Sequence, residues 1–229
     1  MSLTHRFLNA DAFASTGQGL LGNNMFAYCG NNPVNYADPK GNLPSFRPVY
    51  FDHGENQRIY NQRAEPYASK ILGDYTVSYN GCGAIATFNA LVALGNPKSL
   101  DEALAYYNGN PLRTFMNGKY GMLRHQVARF FNSEGYRTDI SCTRTGIENN
   151  SKTADACIMF YVFPQIIDGW TLPGAHFVQY ETCGNTYVGY NTGLGDGFSF
   201  FESPVDYGLS GDRCIVIGIL SLKTRGSIL

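Results

Sequence analysis

Charge is what this sequence has least of. Asp, Glu, Lys and Arg make up 15% of 229 residues, against roughly 25% in an average globular domain. The 17 basic residues nearly cancel the 18 acidic ones, leaving a formal charge of −1. Such a chain has no long-range field to draw it to a phosphate backbone or an anionic membrane, which argues against a nucleic-acid-binding protein. Long apolar runs are also missing. No stretch reaches the roughly 18 uncharged apolar residues of a membrane-spanning helix. Met1 to Phe7 has no apolar segment behind a basic start, so no signal peptide is expected. Met1-Ser2-Leu3 reads as a cloning remnant ahead of a fragment of something longer. Cys29, Cys82, Cys142, Cys157, Cys183 and Cys214 form no C-x-x-C pair, which excludes the usual zinc and redox spacings. They are also too few for a disulfide scaffold, and most are expected to be buried thiols. Histidines number four. His53, in Asp52-His53-Gly54-Glu55, has no matching ligand cluster after it, so neither metal nor cofactor is expected.

What the chain does have is apolar bulk. Hydrophobic residues are 44% and aromatic residues 14%, with Tyr 16 and Phe 15. That composition opposes disorder, and the length allows one large domain or a domain plus a fragment, with a core that needs no staples. The first forty residues differ from the rest. Asn, Gly and Pro crowd them and aliphatic residues are few, so they predict turns and extended pieces rather than a core. Arg6-Phe7-Leu8-Asn9-Ala10-Asp11, Ser15-Thr16-Gly17-Gln18-Gly19 and the run Asn23 to Gly41 carry a specific pattern. Over residues 5–42 the chain resembles the C-terminal end of an Rhs/YD-repeat core, the stretch before the variable tip of polymorphic toxins. Pro33, Asp38, Pro39 and Gly41 fit that family's P-x(4)-D-P-x-G boundary motif. In some members the motif accompanies self-cleavage; those usually have Leu after the Gly, where this chain has Asn42. A plain turn accounts equally for Asp38-Pro39-Lys40-Gly41. The organisation expected is an Rhs remnant over 1–42 and a tip domain over 43–229.

Within the tip, residues 44–75 show no clear period. Gly83 to Leu94 is apolar almost all round and predicts a buried helix stopped by Gly95 and Pro97. Ser99 with Glu102 forms a capping box for a helix to about Asn108. Met122, Leu123, Val127, Phe130 and Phe131 have helical spacing, ended by Gly135. Short β-branched and aromatic runs follow at Tyr136–Cys142, Cys157–Phe163, His176–Glu181, Thr186–Tyr190 and Cys214–Leu222. Helices first and strands second predict an α+β fold with an antiparallel sheet.

The chemistry centres on Tyr79-Asn80-Gly81-Cys82-Gly83-Ala84. A cysteine in the first turn of a buried helix meets about half a positive charge and unpaired N–H groups, which favour a thiolate. Flanking glycines would let a substrate backbone approach, and the Cys82 N–H would face an oxyanion. His176 opens a strand after Pro173-Gly174-Ala175 and is the best-placed base. A hairpin turn at Gly184-Asn185 would bring Asn191, at the end of the next strand, beside His176 as the residue that orients the imidazole. His125 reads as a surface or packing residue and Asp196 as a turn residue. Over about 70–222 this order resembles the papain-like cysteine peptidases, nearest their C39-like branch. The resemblance implies a papain-like fold with Cys82 as nucleophile, His176 as base and Asn191 as orienter. The family usually supplies an oxyanion Gln about six residues before the Cys, where this chain has Thr76. Asn80, Thr76 or the more distant Gln57 or Gln62 would have to serve with the Cys82 backbone. The H-x-E with P-C-x-x-C pairing of zinc deaminases, another Rhs cargo, is not met.

The two resemblances together imply a toxin tip that hydrolyses amide bonds of a protein or peptide in a target cell. It would be delivered from a larger secreted or cell-surface Rhs protein, act in the target cytoplasm and be held by the Rhs shell and a cognate immunity protein. Deamidation or acyl transfer by the same triad is the alternative chemistry. A non-catalytic papain-like binding module is the alternative class.

Overall fold

The computed structural model describes residues 36–37, 45–46, 58–96, 98–167, 170–183, 186–193, 197–207 and 215–224. Pro33, Asp38, Pro39 and Gly41, the rest of the Rhs-like stretch apart from Tyr36 and Ala37, and His53, Gln57, Gly184, Asn185 and Asp196 lie outside the described residues. The chain divides into two units, Met1–His53 and Gly54–Leu229. The boundary motif lies in the first unit. There β1 (Tyr36–Ala37) pairs antiparallel with β2 (Ser45–Phe46).

The second unit is α+β. A small hairpin, β3 (Ile71–Leu72) and β4 (Tyr75–Thr76), leads into a single helical turn, α1 (Val77–Asn80). Gly81 joins it to α2 (Cys82–Ala93), the buried helix expected from the apolar run. Two polar side chains on α2 are nevertheless fully buried, and both are satisfied. Thr87 Oγ1 donates to the Gly83 carbonyl at 2.8 Å and lies 2.8 Å from Tyr107 Oη. Asn89 accepts from Ile59 N–H at 2.7 Å and donates to the Ile59 carbonyl at 2.9 Å. An amide that meets both main-chain groups of one residue acts like a neighbouring strand, and it anchors the segment after Arg58 to α2. The helix α3 (Leu100–Asn108) has the capping box, with Ser99 accepting from Glu102 N–H and Glu102 accepting from Ser99 N–H. The amphipathic pattern at Met122–Phe131 forms α4 (Arg124–Ser133), and the chain leaves it through Gly135 at φ +89°.

One six-stranded antiparallel sheet follows, in the order β5-β10-β6-β7-β8-β9. Its strands are β5 (Arg137–Ser141), β6 (Ala156–Ile167), β7 (Trp170–Cys183), β8 (Thr186–Tyr190), β9 (Phe198–Phe201) and β10 (Ile215–Lys223). Strand alternation splits the interior into two cores. Ala156, Ile158, Phe160, Phe177, Leu220 and Leu222 meet α2, α3 and α4. Cys157, Met159, Val178, Tyr180 and Ile219 meet Ile147 and Tyr207 on the other face. Burying each such side chain is worth about 1.5–3 kcal/mol.

Several described elements were not expected from sequence: the short hairpins β1–β2 and β3–β4, a 3-10 turn at Pro111–Arg113, α1, β9 and α5 (Arg144–Thr153). The last is polar almost throughout. Only Ile147 and Ser151, one turn apart, are buried, and Ser151 Oγ lies 2.6 Å from Tyr180 Oη. Its start is set by Thr143, whose side chain accepts from Gly146 N–H. The cysteines also differ from expectation. Of the four described, only Cys157 is buried, whereas Cys142 is exposed and Cys82 and Cys183 are half-buried. No helix among the described residues is long and apolar enough to cross a membrane.

Candidate active site

The residue that starts α2 sits at the foot of an open cleft of about 1610 Å³. The cleft lining includes Tyr60–Arg63, Tyr79 and Asn80, Phe115, Tyr120, Met122 and Leu123, parts of β6 and β7, and Asn191–Gly193. Cys82 is the first residue of the helix, where three or four N–H groups have no intrahelical acceptor. The glycines around it have a packing role. Both are buried, so neither opens the cleft to a substrate backbone as the sequence suggested. A Cβ on Gly81 would lie 2.5 Å from Val77 Cγ1, 2.6 Å from Val77 O and 2.7 Å from Val77 Cα. Two of these are main-chain atoms that cannot swing away. Gly81→Ala is therefore expected to cost about 1–3 kcal/mol by overpacking the α1–α2 joint. A urea titration checks this, and an unchanged midpoint would contradict it.

His176 reaches the same point from the middle of β7, not from a strand start: Pro173, Gly174 and Ala175, expected as a turn, are paired with Pro164, Phe163 and Val162 of β6. Its Nε2 lies 2.6 Å from the Asn191 carbonyl oxygen, which leaves Nδ1 to face the cysteine. Cys82 and His176 share a side-chain hydrogen bond. Burial pushes the Cys82 thiol up, but the hydrogen bond and charge of His176 and the amides of Phe177 and Gly83 outweigh it, so the net shift is downward. Burial likewise pushes His176 down, yet the Cys82 hydrogen bond and charge and the Asn191 carbonyl lift it above its ordinary value, against the nearby Arg63 charge. Opposite shifts of this kind favour thiolate and imidazolium together. Cys157 shows the contrast. There burial outweighs the Tyr180 hydrogen bond and the Lys223 charge, and the thiol is pushed up to about 12.

Asn191 is beside His176, but not by the expected atoms. The β7–β8 ladder ends at Gln179↔Tyr190. At φ +62° Asn191 then turns out of the ladder, and its carbonyl meets the imidazole. Its side-chain amide points to Gln62 instead. Asn191 Oδ1 accepts from Gln62 N–H at 3.0 Å, and Asn191 Nδ2 donates to Gln62 Oε1 at 3.0 Å.

The side chains weighed as oxyanion donors are engaged or distant. Asn80 donates to the carbonyls of Gly118, at 3.3 Å, and Lys119. Gln62 donates to the Val77 and Ser78 carbonyls, at 3.2 and 3.4 Å. Thr76 is exposed at the start of α1 and does not line the cleft. The Cys82 N–H remains, in the first turn of α2. His125 is exposed on α4. Among the described residues no group of three or more His, Cys, Asp or Glu side chains could hold a metal ion.

Several cleft residues had no sequence signal. Arg63 is exposed and lines the cleft. Tyr79, Phe115 and Tyr120 form an exposed aromatic rim at 67%, 40% and 57% exposure. Tyr79 comes from α1, and Phe115 and Tyr120 from the chain before α4, segments that only the fold brings together. Compared with protein-family models and with curated proteins, the chain finds no match in either.

Proposed function

We propose that residues 43–229 are a papain-like thiol hydrolase that cleaves amide bonds, carried as the tip of an Rhs toxin. The observation that carries the reading is the Cys82–His176 pair, with oppositely shifted acidities at the head of a buried helix in an open cleft. In the reaction, the Cys82 thiolate attacks the amide carbonyl carbon and the carbonyl oxygen becomes an oxyanion. The Cys82 N–H is placed to receive it. His176 gives its proton to the nitrogen as the C–N bond breaks, and the amine leaves. His176, now neutral, takes a proton from water, which attacks the thioester and frees the carboxylate and Cys82. A papain-like fold accords with the helix-then-sheet layout. The Rhs assignment rests on the sequence pattern of residues 5–42, and with it delivery to a target cell, the shell and an immunity protein. A non-catalytic binding module would have no need of the paired sulfur and imidazole. Deamidation and acyl transfer would use the same pair and differ only in the substrate.

The pair has a measurable pH signature. The reactive form exists above the lowered Cys82 pKa and below the raised His176 pKa. Carbamidomethylation of Cys82 by iodoacetamide is therefore expected to begin at lower pH in the wild-type protein than in His176→Ala, read by peptide mass spectrometry. Identical onsets in the two proteins would sink the reading.

A further inference from the structure

We propose that the third member of the site is a peptide carbonyl, that of Asn191, and that Gln62 is the residue that positions it. The inference rests on the Cys82–His176 reading above. The side chain of Asn191 is turned to Gln62, with both amide atoms hydrogen-bonded there, and it is the Asn191 main-chain carbonyl that meets His176. The assignment of each amide is not arbitrary. Gln62 N–H can only donate, which makes the Asn191 atom facing it Oδ1. The Val77 and Ser78 carbonyls can only accept, which makes the Gln62 atom facing them Nε2. One orientation of each amide satisfies all the partners.

The two side chains are buried, at 8% for Gln62 and 3% for Asn191. Burial makes each of these hydrogen bonds costly to lose. They hold a backbone that would otherwise relax. A non-glycine residue at φ +62° is disfavoured, and Asn is among the few that tolerate it. In a continued strand the Asn191 carbonyl would run with the β8 ladder. The left-handed turn sends it to His176 Nε2 instead. A carbonyl only accepts, so it fixes the proton on Nε2 and leaves Nδ1 free to exchange the thiol proton.

The lock also sets sulfur against imidazole. The carbonyls that Gln62 grips belong to α1, the turn that leads directly into Cys82. One side chain thus ties the element carrying the nucleophile to the loop that orients the base. Gln62 is a positioning residue here, which is why it is not available as an oxyanion donor.

The test uses the full chain and the pH profile of Cys82 carbamidomethylation, with thermal melting as the control for folding. Gln62→Met keeps the volume and removes every side-chain hydrogen bond. It should slow alkylation near pH 6 by about 10–100-fold, as loss of an outer positioning partner does elsewhere, and move the onset toward that of His176→Ala. Asn191→Asp keeps a side-chain acceptor but loses the donor to Gln62 Oε1, and it should fall like Gln62→Met. If the Asn191 side chain were the orienter, Asp would serve as well as Asn. Arg63, whose charge also acts on His176, is intact in both variants. A wild-type profile in a folded Gln62→Met protein would overturn the proposal. So would a wild-type profile in Asn191→Asp, which keeps the test open if the Met variant does not fold. An unmodified protein whose Cys82 already behaves as an ordinary thiol, unaffected by His176→Ala, would instead remove the Cys82–His176 reading, and this inference with it.

Discussion

On the toxin reading proposed above, the chain expressed in bacteria arrests growth, and Cys82→Ala is expected to abolish that arrest, as is His176→Ala. Where one group makes the nucleophile and the other activates it, loss of either costs about as much as loss of both, on the order of 10⁶-fold in kcat. The two single variants and the double variant should therefore fall to one floor. Stability should move little in Cys82→Ala, because the half-buried sulfur lines the cleft and only a single atom is removed. That separates a chemical defect from an unfolded protein. Growth arrest equal to wild type from a folded Cys82→Ala protein would end the thiol-enzyme reading and favour a binding module.

The second large effect is on stability. Asn89→Ala removes both partners of Ile59, leaving its N–H at 2.7 Å and its carbonyl at 2.9 Å without the groups they meet. Each buried main-chain group left unpaired costs about 1–3 kcal/mol, so a loss of about 3 kcal/mol or more is expected in urea unfolding. Such a loss is a large fraction of the roughly 5–15 kcal/mol of a typical domain. The variant should also blunt the reactivity of Cys82. Ile59 is the anchor of the segment that carries Gln62 three residues later, and a loosened anchor frees the lock on Asn191. A loss of less than 1 kcal/mol would show that water or a rearranged chain takes over both groups.

Much of the second unit is legible in the residues because its signals are local. The capping box at Ser99 and Glu102, the apolar run after Cys82 and the stop at Gly135 depend on neighbours within a few positions. The β-branched and aromatic runs that became β5, β6, β7, β8 and β10 are likewise local signals, bounded by Gly, Pro and Asn. The polar helix α5 escaped because two buried residues make no stripe, and its stability comes from docking Ile147 and Ser151 on the sheet. The role of the glycines beside Cys82 was misjudged for a similar reason. A sequence shows that a Cβ is absent and not which atom would have met it.

The candidate site divides in the same way. A cysteine at a helix start is a local fact, and Cys82 is the first residue of α2. The strand start expected at His176 is not there, because β7 already runs through Pro173, Gly174 and Ala175 in register with β6. Asn191 was named from its place after β8, but the atom it offers was not, because a side-chain amide and a peptide carbonyl belong to the same letter. The choice between them depends on Gln62, a residue 129 positions away. Residue types, periods and caps were determined by the sequence itself, since short-range sterics and the burial of apolar faces decide them. Which donor faces which acceptor, which side chain is already spent, and how the cleft is walled were decided only by the tertiary structure. Hydrogen bonds are directional and saturable, and their partners are chosen by long-range packing.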